Sequence, residues 1–240
     1  MNIKRIGLLV PSTNTSVEAD FQQTCPEGVT THSQRLWIPA GELTEDLLDE
    51  MNSRLEESAV ALASANVDLI VYGCTSGSFY KGLEWDEGVV ERIHAATGIR
   101  AFTTSQAVSR ALQTLGVRRL SVATPYMAWT NERLRKYLEK LGFEVVNIES
   151  DERAAAGGHR FINDQDPAQI VAFASSIFRQ EADALFCSCT AWRAREAADA
   201  IEASIGKPVV TSNQATLWHA CREIGISGPI DGGGGQLLRR

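Results

Sequence analysis

An α/β fold of two pseudo-symmetric halves, each a parallel sheet flanked by helices with the active site in the cleft between them, is predicted by three features of this 240-residue chain. Short apolar runs alternate with amphipathic stretches throughout, the pattern of strands and helices taking turns in parallel layers. A segment recurs: Asp68-Leu-Ile-Val-Tyr-Gly-Cys74-Thr75 returns as Asp183-Ala-Leu-Phe-Cys-Ser-Cys189-Thr190, each Asp six residues before a Cys-Thr pair. The flanks recur too, Arg5-Ile-Gly-Leu-Leu-Val-Pro11 as Arg119-Leu-Ser-Val-Ala-Thr-Pro125, and Thr104-Ser-Gln-Ala107 as Ser212-Asn-Gln-Ala215. The Pro offset is 125 − 11 = 114 and the Cys offset 189 − 74 = 115. This near-constant spacing assigns residues 1–115 plus 212–240 to the first half and 116–211 to the second. Each half presents one Cys-Thr pair at a strand end.

The elements follow in order. Residues 6–10 read as a strand, 17–24 as the start of a helix and 30–37 as a second strand. Residues 44–65 have helical periodicity, with Leu47, Leu48, Met51, Leu55 and Leu62 as one apolar stripe. Thr44 followed by Glu45 and Asp46 suits the positive end of that helix. A strand at 68–72 leads into the Cys74 loop, then a helix at 84–96, a short strand at 100–103 and a helix at 106–115 closed by Gly116. The second half repeats this: strand 119–123, helix 131–141 ended by Gly142, strand 143–149, and helix 167–179 behind Asp166, a good N-cap. Strand 184–187, helix 191–205, strand 208–211 and helix 216–224 complete it. The tail Asp231-Gly-Gly-Gly-Gly follows no strand and precedes no helix, so it is a poor phosphate loop. It closes the first half or ends the chain loosely.

Composition narrows the function. A net charge of −7 without a basic run argues against nucleic-acid binding, which needs clustered Lys and Arg. The start has no signal-peptide layout and no apolar stretch is long enough for a membrane, so a cytoplasmic protein with no membrane partner is expected. Five cysteines are an odd count, which does not read as a disulfide framework. Cys25, Cys187 and Cys221 read as small packing residues. No Cys-x-x-Cys pair occurs, and His32, His94, His159 and His219 lack ligand spacing, so no metal site is expected.

The chemistry concentrates at strand ends, where ligands bind in such sheets. Gly73-Cys74-Thr75-Ser76-Gly77-Ser78 lies between a strand and a helical segment, and its small residues expose backbone N–H groups as a nest for a carboxylate. The same field is expected to lower the Cys74 thiol below the usual ~8.5. A small-residue turn around a packed Cys is the plainer reading, but the duplicate at Cys189-Thr190 favours function. Asn14 reads either as a cap or turn residue or as an amide donor. Tyr126 reads either as core or as a donor, and Asn163 lies in a loop before a helix. Two thiols across one cleft suit proton or carbon chemistry on the two faces of a small planar substrate.

Together these positions resemble the aspartate/glutamate racemase superfamily, and most of all its branch of maleate cis–trans isomerases and arylmalonate decarboxylases. The resemblance rests on Val10-Pro-Ser-Thr-Asn-Thr15, Gly73-Cys-Thr-Ser-Gly-Ser-Phe79, Ala123-Thr-Pro-Tyr126, Cys189-Thr190 and Pro208-Val-Val-Thr-Ser-Asn213, which span nearly the whole chain. It implies Cys74 as nucleophile and Cys189 as opposing acid/base. It also implies that Asn14, Tyr126 and Asn163 hold the carboxylates, with backbone N–H groups near Thr75, Ser76 and Thr190. The implied activity is cofactor-independent cis–trans isomerisation of a small dicarboxylate, maleate to fumarate in the type reaction. The alternative is an amino-acid or hydantoin-type racemase moving a proton between two thiols. Decarboxylases of this branch keep only the second Cys, so two cysteines count against that activity. A non-catalytic binder would have little use for two facing thiols. The expected partner is a small-molecule carboxylate, and a homo-oligomer is compatible with the helix at 44–65 packing on a second copy.

Overall fold

The computed structural model describes residues 3–39 and 43–240. Its elements are β1 (Lys4–Pro11), α1 (Ser16–Thr24), β2 (Val29–Leu36), α2 (Glu45–Asn52), α3 (Leu55–Ala63), β3 (Leu69–Tyr72), α4 (Thr75–Phe79), α5 (Leu83–Thr97), β4 (Ala101–Thr103) and α6 (Thr104–Thr114). The repeat follows as β5 (Arg119–Thr124), α7 (Ala128–Lys140), β6 (Glu144–Ser150), α8 (Glu152–Asp164), α9 (Pro167–Ile177), β7 (Ala184–Cys187), α10 (Ala194–Ile205), β8 (Val209–Thr211) and α11 (Ser212–Glu223). The strands form two four-stranded parallel sheets, ordered β2-β1-β3-β4 and β6-β5-β7-β8. The two orders are the same once the second set is renumbered, as the sequence repeat requires.

The physical basis of the repeat is visible at both ends of the central strands. Asp68 Oδ2 accepts the Arg5 N–H at 2.7 Å, and Asp183 Oδ2 accepts the Arg119 N–H at 2.8 Å. Each Asp thus pins the start of its strand to the neighbouring one. At the far end Gly73 N–H donates to Leu9 O at 2.7 Å, and Ser188 N–H to Ala123 O at 2.9 Å. These bonds hold the chain at the carboxyl ends of the central strands just before Cys74 and Cys189. Strands β3 and β7 are buried throughout, because helices cover both faces of a parallel sheet.

Helices α6 and α11 begin with matched capping boxes, Thr103 with Gln106 and Thr211 with Gln214. They pack on each other, and one core cluster runs through both sheets, from Leu8 and Val71 to Val122 and Phe186.

Four sequence expectations are corrected. The helix expected at 44–65 is two, α2 and α3, broken at Ser53 and Arg54. Asn52 Nδ2 bonds Leu48 O at 2.7 Å and Ser53 Oγ bonds Glu50 O at 2.6 Å, so side chains take the carbonyls that end α2. Residues 152–164 form α8, where the sequence suggested a loop; Asp151 caps it and Gly158 bends it at φ 69°. Helix α10 starts at Ala194, three residues later than expected, because Cys189–Arg193 make turns first. The glycine tail is neither loose nor confined to the first half. Gly234 and Gly235 donate their N–H groups to Asp199 at 2.8 and 3.2 Å, which fixes the tail on α10. No described helix is long and apolar enough to cross a membrane.

Candidate active site

The carboxyl ends of β1, β3, β5 and β7 surround a cavity of about 370 Å³. Cys74 and Cys189 both line it, one from each sheet. Its polar lining is Thr13, Asn14, Ser76, Tyr126, Thr130 and Thr190; its apolar lining includes Ile38, Leu43, Leu48, Met51, Met127 and Ile162. No charged side chain is among the described lining residues. No described group of His, Cys, Asp and Glu could hold a metal ion.

Cys74 is buried and caps α4, which starts at the next residue. Its Sγ accepts the Gly77 N–H at 3.3 Å and lies 3.8 Å from Ser76 Oγ. Gly77 must be small: an added Cβ would collide with the Tyr72 hydroxyl and lie 3.0 Å from Cys74 Sγ. The expected lowering of the Cys74 pKa is not found. Burial raises it above the ordinary thiol value, and the Gly77 N–H and Ser76 hydroxyl offset only part of that. A nest of N–H groups is weaker than desolvation when no cation stands nearby.

Cys189 has φ 153°, a backbone conformation that L residues rarely adopt. The Ala191 and Trp192 N–H groups and the Tyr126 hydroxyl near its sulfur favour the thiolate, yet burial outweighs them and pushes the thiol up to about 12. Tyr126 is itself buried, and the Ser188 hydroxyl donates to its oxygen at 3.5 Å. Tyr126 therefore bears on the second thiol's ionisation as well as lining the cavity.

Asn14 is the capping residue the sequence allowed, and it also lines the cavity. Its Oδ1 accepts the Ser16 and Val17 N–H groups at 2.9 and 3.1 Å, capping α1. Its Nδ2 donates to Thr190 Oγ1 at 3.1 Å, which leaves one amide hydrogen for a ligand. The Thr190 hydroxyl in turn donates to Gly73 O at 3.2 Å.

Two predicted residues lie behind the wall. The Thr75 hydroxyl donates to Ser212 Oγ at 2.9 Å and does not line the cavity. Asn163, on α8, grips the Asn14 loop: it accepts the Thr15 N–H at 3.1 Å and donates to Thr13 O at 2.9 Å. It too is outside the lining. The sequence reading missed the apolar lining residues Leu48 and Met51, whose helical spacing made them look like core alone. It also missed Ser212, whose only signal was its place in the repeated capping segment.

Two duplicated parallel α/β halves thus each supply one thiol to a single cavity whose described lining is uncharged and holds several hydrogen-bond donors. The chain belongs to the arylmalonate decarboxylase family, whose family model matches residues 6–238. A maleate isomerase of Pseudomonas putida is 28% identical over 250 residues, 98% of this chain and 96% of that protein. The arylmalonate decarboxylase of Bordetella bronchiseptica is also 28% identical, over 235 residues, 97% of this chain and 95% of that one. The crystal structure of the maleate isomerase Iso from Pseudomonas putida S16 superposes with a TM-score of 0.90 at 25% identity, covering 99% and 98% of the two chains.

Proposed function

We propose that the protein is a cofactor-independent cis–trans isomerase of a small dicarboxylate, maleate to fumarate in the type reaction. The observation that carries this reading is that Cys74 and Cys189 open on one cavity from opposite halves of the molecule. The Cys74 thiolate adds to one alkene carbon, and the Cys189 thiol gives its proton to the other. The bond between the two carbons is then single and rotates. The Cys189 thiolate takes the proton back, the Cys74–carbon bond breaks, and the trans alkene leaves with the Cys74 thiolate and the Cys189 thiol restored. The roles fit the surroundings: a Cys189 pKa of about 12 keeps that thiol protonated as the acid. Cys74 has the Gly77 N–H aimed at its sulfur, a donor that favours thiolate over thiol.

The substrate carboxylates meet neutral donors: the free amide hydrogen of Asn14, the Ser76 and Tyr126 hydroxyls, and backbone N–H groups next to Thr75 and Thr190. Asn163 and the Thr75 hydroxyl serve at one remove, by shaping the loops. Neutral donors let charge build on the intermediate without a fixed cation that would hold substrate and transition state alike. A cytoplasmic setting, where free cysteines stay reduced, goes with this reading.

Proton NMR of the protein mixed with maleate tests it. Growth of the fumarate vinyl signal is expected. The decarboxylase relative matches at the same identity, so an arylmalonate is the comparison substrate. Loss of carbon dioxide from it with no action on maleate would overturn the isomerase assignment.

A further inference from the structure

Ser212 opens α11 and is fully buried. Its Oγ accepts two hydrogen bonds, from Thr75 Oγ1 at 2.9 Å and from the Cys189 N–H at 3.1 Å. Thr75 belongs to the first Cys-Thr pair and Cys189 to the second, so a single oxygen carries one bond from each. A reciprocal link runs the other way. The Thr190 hydroxyl, from the second pair, donates to Gly73 O, the carbonyl that precedes Cys74. Thr190 thus reaches the backbone before Cys74 directly, and Thr75 reaches the Cys189 N–H through the Ser212 oxygen. Such crossed bonds fix the spacing of two loops that no covalent link joins.

A scaffold duplicated for stability alone would make the Ser212 bond twice, and it makes it once. The matching residue in the repeat is Thr104, whose hydroxyl donates to Tyr72 O instead. The single bond falls where the backbone needs it. Cys189 holds φ 153°, while Cys74 sits in ordinary extended geometry at φ −138°. That φ sets where the Cys189 side chain leaves the backbone, and with it the place of the sulfur at the cavity wall. Without an acceptor for its N–H, that conformation relaxes and the sulfur swings.

We propose that Ser212 is a positioning residue that registers the two active-site sulfurs, by bonding the Cys189 backbone and the Thr75 hydroxyl at one oxygen. The proposal rests on the reading that both thiols act in one cycle. It predicts that losing the oxygen harms the chemical step and leaves substrate affinity intact, because Ser212 does not touch the cavity.

The test uses the full chain with Ser212→Ala, Thr75→Val and Thr75→Ser. The first readout needs no substrate: the rate at which iodoacetamide alkylates Cys189 and Cys74, followed by peptide mass spectrometry against pH. Ser212→Ala is expected to change the Cys189-to-Cys74 rate ratio severalfold and to move the pH midpoint of Cys189. The second readout is maleate turnover, where kcat falls about 10–100-fold with KM nearly constant, as displacement of a reacting group by an ångström or less can cause. Thr75→Val keeps the side-chain shape and the backbone N–H, so it moves both readouts the same way by less, and Thr75→Ser recovers them. A Ser212→Ala protein with wild-type Cys189 alkylation and wild-type kcat overturns the proposal. If Ser212→Ala does not fold, Thr75→Val decides, and wild-type values there overturn it equally. Should maleate not react at all, the isomerase reading fails while the alkylation ratio still judges Ser212.

Discussion

Replacing Arg195 by Met removes the cation from a buried pair that joins the two halves. Arg195 on α10 donates from Nε to Asp20 Oδ1 on α1 at 2.8 Å, and from Nη2 to Gln23 Oε1 at 2.7 Å. Both charged side chains are only 5% exposed. Asn213 Nδ2 bonds the other Asp20 oxygen at 2.7 Å and also Thr190 O at 2.9 Å, so the pair backs onto the Cys189-Thr190 loop. Burial already raises the Asp20 pKa above its usual value despite Arg195, which means desolvation outweighs the attraction. The Met variant leaves the carboxylate with Asn213 alone. Breaking a buried pair in this way costs about 3–5 kcal/mol. For a chain of this length that is a Tm lower by roughly 6–20 °C. The sign against pH follows from linkage. Without Arg195 the folded-state pKa of Asp20 rises further, so the carboxyl protonates at higher pH in the variant. The deficit is therefore largest at neutral and alkaline pH and shrinks as pH falls through the raised pKa. Urea unfolding followed by tryptophan fluorescence, at neutral and mildly acidic pH, measures it. Adding Asp20→Asn, which removes the unpaired charge and can still accept from Asn213, should restore more than half. A deficit under about 1 kcal/mol, the level of an exposed pair, with no recovery in the double variant would refute the reasoning.

Three further outcomes concern the chemistry. Cys74→Ala and Cys189→Ala should each lower turnover by orders of magnitude, because both act in one cycle, while Cys25→Ala and Cys221→Ala stay near wild type in the maleate NMR assay. The rate should climb with pH from neutrality, since the Cys74 thiol is raised above 9.0 and its thiolate is the reactive form; kcat/KM that is flat from neutral to mildly alkaline pH would show that Cys74 enters already ionised. Tyr126→Phe keeps the ring and removes a hydroxyl that favours the Cys189 thiolate, so it should raise the Cys189 pKa still further and slow turnover. Alkylation of Cys189 against pH reads the first effect, and an unmoved midpoint would remove Tyr126 from the thiol's surroundings.

The parts of the fold legible in the sequence are those written twice. Asp68 and Asp183 are informative because each does the same job, bonding the N–H that opens its sheet's central strand. The parts that were not legible depend on the other half of the molecule or on burial. Thr75 follows a cysteine in a nest-like turn and so resembles a ligand residue. Its hydroxyl direction is set by Ser212, 137 positions later in the chain. Asn163 sits after Gly157-Gly158, a composition that suggests a loop, yet Asp151 accepts the Arg153 N–H at 3.1 Å and starts a helix there. The Cys74 pKa went the other way from expectation because a sequence displays the N–H donors of a turn and hides the water it excludes.

The duplicated scaffold explains why two thiols oppose each other, and the departures from duplication explain why they can differ. After Cys74 the helix α4 begins at once, so the sulfur caps it and receives the Gly77 N–H in line with a helix start. After Cys189 the chain turns through four residues before α10, so that sulfur lacks a helix of its own, and nearby turn N–H groups and the Tyr126 hydroxyl only partly offset its burial. Tyr126 follows Pro125 at the end of β5; the matching place after Pro11, at the end of β1, holds Ser12, whose hydroxyl accepts the Ile38 N–H at 3.0 Å. One half therefore spends that position on the second cysteine and the other on its own loop. A perfectly symmetric pair would hold two equivalent thiols, suited to moving a proton in either direction between the faces of a substrate. The unequal pair fits a cycle in which one sulfur bonds carbon and the other carries the proton.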